Sequence, residues 1–347
     1  MSPTQDSKPR IILGLMTFGP LKEAGGRITD LEEYKKCLDT FQARGYNEVD
    51  TARVYVGMQQ EAFTREAGWK ERGLTLATKI IYPLKDGTNT TENVLTSAET
   101  SLKELGTETL DILYLHGADR GVPFAETLGA IDKLHKAGKF VRFGISNFTA
   151  FEVAEIVMTC KHNNWVQPTI YQALYNMTSR AIEPELVPAL RCYGLDIVVY
   201  NPLAGGLFSG KVKSADVTPD EGRFSKSSLT FAIYRDRYLK DSTFQALKLI
   251  EDAASKHNMS VIEVALRWVM HHSALKITNG NDGIIIGASS KEQIDQNITN
   301  LEKGPLPENV VEAAEKAWQL TRAEGTPYWH KNLVYQYDTK EAVFGSN

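Results

Sequence analysis

The sequence predicts an α/β fold, a (β/α)8 TIM barrel with long loops at the C-terminal face of its strands. Three observations predict it. Eight short β-rich runs recur along the chain, and segments with apolar residues at helical spacing lie between them. Neither an internal repeat nor a linker divides the 347 residues, a length that buries ample core for one large barrel or two modest domains. An open doubly wound sheet is the alternative that such alternation also allows.

The elements follow in order. A polar lead, residues 1–10, precedes the first β-rich run, Ile11–Met16. Leu31–Ala43 has helical spacing, and Glu48–Asp50 and Leu74–Lys79 are the next strands. Helical Asn93–Leu105 leads to strand Asp111–His116, and helical Phe124–Lys136 to strand Val141–Ile145. Thr149-x-x-Glu152, Ser260-x-x-Glu263 and Ser290-x-x-Gln293 fit the capping box, in which a hydroxyl and a carboxylate or amide satisfy exposed amide groups reciprocally. The remaining strands are Thr169–Gln172, Asp196–Tyr200 and Gly283–Gly287. A loop rich in Gly, Ser and Lys, residues 201–230, follows the seventh. The barrel is thus expected over residues 11–324. Residues 325–347 form a tail carrying Tyr328, Trp329, Tyr335, Tyr337 and Phe344. So many aromatic residues argue for packing over the barrel or a partner subunit rather than for disorder.

Composition excludes several classes. A net charge of −4 and a pI near 6.0 leave no basic footprint for nucleic acid. No apolar run reaches the roughly 20 residues that cross a bilayer, and the polar start lacks the apolar core of a secretory leader. Cys37, Cys160 and Cys192 are odd in number and widely spaced, which points to reduced thiols in a cytosol-like compartment. No metal site is expected, because the seven histidines form no H-E-x-x-H and His271 and His272 diverge around a helix.

The ends of three successive strands deliver Asp50 with Tyr55, then Lys79, then His116. In a parallel barrel these ends share one face, where such folds keep their chemistry. Reducing a carbonyl needs a proton donor, a group that makes it acidic and a partner that holds that group. A free phenol, with pKa about 10, is a poor acid at neutral pH. A neighbouring ammonium favours phenolate, so Lys79 is expected to lower the pKa of Tyr55 while Asp50 keeps Lys79 charged. His116 is placed to align the carbonyl oxygen. Each residue alone has a plainer reading, Tyr55 as a core phenol and His116 as a helix cap; the order and spacing of all four carry the joint one.

The glycine loops are not Rossmann or P-loop signatures. Gly14-Leu-Met-Thr-Phe-Gly19 lacks the middle glycine of G-x-G-x-x-G. Gly205–Lys211 fits G-x-x-x-x-G-K but is followed by Val212, where a P-loop needs Ser or Thr to hold magnesium. A glycine loop whose amides approach a pyrophosphate is still compatible with it. After strand eight, Gly287-Ala-Ser-Ser-Lys-Glu-Gln293 offers either a phosphate seat at a helix N-terminus or a plain helix cap.

Asp50, Tyr55, Lys79 and His116 resemble in order and spacing the catalytic tetrad of the aldo-keto reductase superfamily. Gly144-Ile-Ser-Asn-Phe148, Tyr171-Gln-Ala-Leu-Tyr-Asn176, Asn201-Pro-Leu-Ala-Gly-Gly-Leu207, Gly222-Arg-Phe224 and Ile286-Gly-Ala-Ser-Ser290 resemble one branch, the aflatoxin-aldehyde and succinic-semialdehyde reductases. The resemblance implies a barrel that uses NADPH without a Rossmann domain, reduces a small-molecule carbonyl substrate, and acts as a cytoplasmic homodimer. It implies Tyr55 as proton donor, and Ser146, Asn147 and Gln172 as contacts to the cofactor's carboxamide. Further implied cofactor contacts are Met16, Asp50, Tyr200, Asn201, Pro202, Leu203, Gly205, Gly206, Leu207, Gly210, Lys211, Arg223, Gly287, Ala288, Ser289, Ser290, Gln293 and Asn297. His116, Tyr234 and Arg237 are the implied substrate contacts, where an arginine suits a carboxylate-bearing aldehyde. Two departures stand out: Met58 where the branch has glycine three residues after the tyrosine, and a tail that runs past the branch's usual end. Potassium-channel β-subunits, which bind NADPH while serving a partner, share this barrel and provide the rival reading; a barrel isomerase or lyase without redox chemistry is a third.

Overall fold

A computed structural model describes residues 8–278 and 280–345. The eight strands are β1 Arg10–Gly14, β2 Glu48–Asp50, β3 Thr75–Lys79, β4 Leu110–Leu115, β5 Phe140–Ser146, β6 Pro168–Leu174, β7 Asp196–Tyr200 and β8 Gly283–Gly287. Each pairs in parallel with its neighbour, and β8 returns to β1, so the sheet closes as the expected barrel rather than an open sheet. The helices are α1 Leu31–Ala43, α2 Gln60–Glu66, α3 Thr91–Leu105, α4 Phe124–Lys136, α5 Ala150–His162 and α6 Leu186–Tyr193. They continue with α7 Phe231–Tyr238, α8 Asp241–Ser255, α9 Val261–His271, α10 Lys291–Leu301, α11 Glu308–Thr321 and α12 Thr339–Phe344. Among the described residues no helix is long and apolar enough to cross a membrane, and no group of three or more His, Cys, Asp or Glu is placed to hold a metal ion.

Several boundaries differ from expectation for a local reason. β1 stops at Gly14, where its pairing with β2 and β8 ends, so Met16 lies in a turn. β4 stops at Leu115, and His116 stands one residue beyond it. The capping box is complete only at Thr149–Glu152. At Ser260 and Ser290 the hydroxyl half forms, but Glu263 turns to Arg267 and Lys303, and Gln293 accepts instead from Ser289.

The barrel interior is plugged by Ile12, Ala77, Ile112, Tyr114, Ile170, Val198 and Ile285, from six of the eight strands. Gly144 supplies the clearance in β5, since a Cβ there would stand 2.4 Å from the Tyr114 ring. Strand side chains repeat with period two. The next inward positions above this plug are therefore Lys79, His116, Ser146, Gln172 and Tyr200. The apolar plug and the polar face above it are one pattern.

Candidate active site

Lys79 is fully buried and reaches three oxygens: Asp50 Oδ1 at 2.5 Å, the Thr51 carbonyl at 2.7 Å and Tyr55 Oη at 3.4 Å. Gln172 Nε2 donates to the other Asp50 oxygen at 2.8 Å, so both carboxylate oxygens are engaged. Burial pushes the Asp50 carboxyl above its ordinary range and the Lys79 ammonium below its own, and each partner opposes the shift of the other. The His116 ring stands edge-on to Tyr55, with centroids 5.9 Å apart. Its Nδ1 is buried without a hydrogen-bond partner among the described residues. Burial, then Lys79 and His330, holds His116 well below its usual pKa, so it is uncharged at neutral pH.

Burial acts on the Tyr55 phenol as well as Lys79 does. Lys79 does contact Tyr55, yet burial, followed by the Asp50 charge, raises the phenol well above its ordinary pKa, and only Arg223 opposes the shift. The carboxylate beside the ammonium disfavours a phenolate in the resting site, and desolvation is the larger cause. Tyr55 therefore keeps its proton at neutral pH.

The loop that carries Tyr55 is unusual. Val56, Gly57 and Met58 have φ of 45°, 61° and 67°, three consecutive residues in left-handed conformation. Such backbone costs a non-glycine residue roughly 1–2 kcal/mol and persists only when its surroundings hold it. Here Arg53 holds it, donating to the Met58 carbonyl at 2.5 Å while pairing with buried Glu61, which also accepts from Thr78 at 2.6 Å. Met58 itself is about half exposed, at 49%.

The residues implied as cofactor contacts fall into three connected groups. Asn147, with φ of 66°, donates to the His116 carbonyl at 2.8 Å and to Ser146 Oγ at 2.9 Å, and accepts from Tyr200 Oη at 2.8 Å. The second group is the loop after β7, where Asn201, Ala204, Gly205, Gly206 and Gly210 all have positive φ. Pro202, Leu203 and Leu207 lie within it and exposed Lys211 just beyond. Gly205 is required there, because a Cβ would stand 2.2 Å from the Tyr234 ring. Arg223 lies over the other side of this cluster, 5.0 Å from the Tyr234 centroid and 3.2 Å from Met16 Sδ. The third group closes β8: Gly287 and Ala288, then Ser289, capping Ser290 and Gln293, with Asn297 Nδ2 donating to the Gly287 carbonyl at 3.4 Å.

Of the expected substrate contacts, Tyr234 is buried with its hydroxyl bonded to Asn201 Oδ1 at 3.1 Å. Arg237 has a buried Nε without a partner among the described residues and lies 5.9 Å from the Tyr234 ring.

The chain from residue 10 to 319 matches the family described as "Aldo/keto reductase family". The chain belongs to the aldo/keto reductase family. It is 42% identical to an aldo-keto reductase of Pseudocercospora fijiensis over 296 residues, covering 84% of this chain and 99% of that protein. Aflatoxin B1 aldehyde reductase member 2 of Rattus norvegicus is 40% identical over 332 residues, 93% of this chain and 88% of its own length. The pigE aldo-keto reductase of Monascus ruber is 38% identical over 334 residues, 92% of this chain and 97% of its own. This aldo/keto reductase is accordingly an oxidoreductase acting on small-molecule carbonyl compounds, in a family that uses NAD(P)H.

The residues fit such a cofactor. Space is open where a Cβ would stand on Gly206 and Gly287. The buried Asn201 amide nitrogen lacks a partner among the described residues, and the Ser289 and Ser290 hydroxyls open α10.

Sequence reasoning missed several residues of this aldo/keto reductase site. Tyr82 lies edge-on to His116 at 5.3 Å, and His330, from the tail, lies 3.1 Å from the Tyr82 hydroxyl. Arg120 anchors the tail by donating to the His330 carbonyl at 2.8 Å while pairing with Glu152. Arg27 shares the Arg223 neighbourhood, and burial, then Arg223, lowers its pKa. The one available signal was Glu152, which sequence placed in the capping box but not opposite Arg120.

Proposed function

We propose that this chain reduces aldehydes to alcohols with NADPH, with Tyr55 as proton donor. The observation that carries this reading is the buried chain Gln172–Asp50–Lys79–Tyr55 ending beside neutral His116. When bound, the nicotinamide cofactor supplies the hydride. Tyr55 holds its proton until the substrate oxygen gains negative charge, and an alkoxide is basic enough to take it even from a phenol of raised pKa. Lys79, 3.4 Å away, stabilises the phenolate that forms. Asp50 and Gln172 keep the ammonium aimed. His116, uncharged, can donate a neutral N–H to the carbonyl oxygen without adding a proton of its own.

NADPH over NADH is supported by the hydroxyls and amide at the start of α10 and by the Arg27 and Arg223 guanidinium groups, which suit a phosphate. Arg237 suits aldehydes that carry a carboxylate or a second carbonyl. The proposal includes a homodimer in a reducing, cytosol-like compartment; free Cys37, Cys160 and Cys192 agree with the compartment, and the dimer rests on family resemblance. The test is oxidation of NADPH and of NADH against a panel of neutral and carboxylate-bearing aldehydes. Aldehyde-dependent turnover that favours NADPH is the expected result. Tight NADPH binding without turnover would instead support the sensor-subunit reading.

A further inference from the structure

His330 comes from the tail beyond α11, yet it lies at the centre of the hydrogen-bonded site. Its backbone N–H donates to the Asn147 carbonyl at 3.2 Å, and its own carbonyl accepts from Arg120 Nη1 at 2.8 Å. Its imidazole bridges two phenols, with Nδ1 3.1 Å from Tyr82 Oη and Nε2 3.5 Å from Tyr200 Oη.

The direction of these bonds follows from elimination. A phenol has one proton to give. Tyr200 gives it to Asn147 Oδ1 at 2.8 Å, so toward His330 it can only accept. Nε2 of His330 must then carry the hydrogen, and Nδ1 must accept from Tyr82. Donation runs one way, Tyr82 to His330 to Tyr200 to Asn147, and onward from the Asn147 amide to the His116 carbonyl and Ser146 Oγ. Asn147 has a φ of 66°, a left-handed conformation that asparagine tolerates better than most residues with a side chain.

We propose that His330 is a positioning residue for the reduction. Through Tyr200 and its own backbone it orients Asn147 toward the cofactor's carboxamide, and through Tyr82 it fixes the wall beside His116. The inference rests on the proposed NADPH-dependent reduction. It requires a neutral ring, because an imidazolium has no lone pair for Tyr82. The groups facing the ring supply that condition: Arg237 and Arg120 are cations, while Tyr82, Tyr200 and His116 carry no negative charge at neutral pH. Burial, then Arg237 and Arg120, lowers the His330 pKa from 6.5 to about 4.

The test compares the full-length protein with His330→Phe, which keeps a ring but makes neither bond, and His330→Gln, whose amide can both donate and accept. NADPH affinity is read by fluorescence, kcat and KM with a short aldehyde, folding by circular dichroism, and the ring tautomer by 15N NMR of labelled histidine. The Phe variant is expected to fold but to bind NADPH roughly three- to tenfold more weakly, the size of one neutral hydrogen bond, and to lose kcat. The Gln variant recovers most of both, and His330 shows the Nε2–H form. A Phe variant equal to wild type in affinity and kcat overturns the proposal. So does a Gln variant no better than Phe, or an Nδ1–H tautomer. Wild-type protein that binds NADPH but reduces no aldehyde would sink the proposed function instead, and the affinity and NMR readouts would still decide the role of His330.

Discussion

Arg120 and Glu152 meet in a two-point ion pair, Nε to Oε1 at 2.7 Å and Nη2 to Oε2 at 3.0 Å, that the fold buries almost completely. Glu152 also accepts from the Thr149 N–H at 2.7 Å and from Tyr335 Oη at 2.8 Å. Arg120 also donates to the carbonyls of His330 and Asn332. The pair thus ties α5, the loop after β4 and the tail into one cluster.

Removing one partner leaves the other charge buried and alone. Arg120→Met is expected to destabilise the protein by about 3–5 kcal/mol, and adding Glu152→Gln to recover part of that loss. Urea unfolding measures both. Limited proteolysis should cut the tail after Gly325 faster in the single variant; equal cutting in variant and wild type would refute the tethering role.

Lys79 and Asp50 separate stability from activity. Lys79→Met alone should lose about 3–5 kcal/mol through the stranded carboxylate, and Lys79→Met with Asp50→Asn clearly less. Turnover should be lost in both. Thermal unfolding alongside aldehyde kinetics distinguishes the two effects, and a double variant with restored turnover would show that the pair is only structural.

Tyr55→Phe removes the transferable proton while keeping the ring beside Lys79 and His116. The expected outcome is a fall in kcat of roughly 10² to 10⁴, the usual worth of a placed proton donor. NADPH affinity should stay close to wild type. Comparable losses of both would assign the hydroxyl a structural role.

Acid should destabilise the fold through His330. Its folded pKa, about 4, lies below the unfolded 6.5, so the unfolded chain takes up the proton first. The stabilising contribution is full above about pH 6.5 and is lost as pH falls toward 4. A gap of this size corresponds to about 3 kcal/mol. His116, shifted in the same direction by burial, adds to the trend. Urea midpoints across this range should fall less steeply for His330→Gln than for wild type; parallel curves would contradict the assignment.

Much of the fold was legible because it is local. Short β-rich runs gave β2, β7 and β8 their ends, and helical spacing gave those of α1 and α4. The meeting of Asp50, Tyr55, Lys79 and His116 was legible because a parallel barrel converts strand-end positions into one face. What sequence could not supply was burial and long-range pairing. Burial, followed by the Asp50 charge, raises the Tyr55 phenol above its ordinary pKa, an effect that strand-end spacing does not reveal. Arg120, Glu152 and His330 meet across separations of 32 and 210 residues, and no short-range pattern encodes such a meeting.

The tail also sets a schedule. Residues 328–337 leave the ribosome after every strand of the barrel, yet they carry His330 and the Tyr335 contact to Glu152. On the proposed role of His330, a nascent chain can complete every strand of its barrel before the residues that orient Asn147 have emerged.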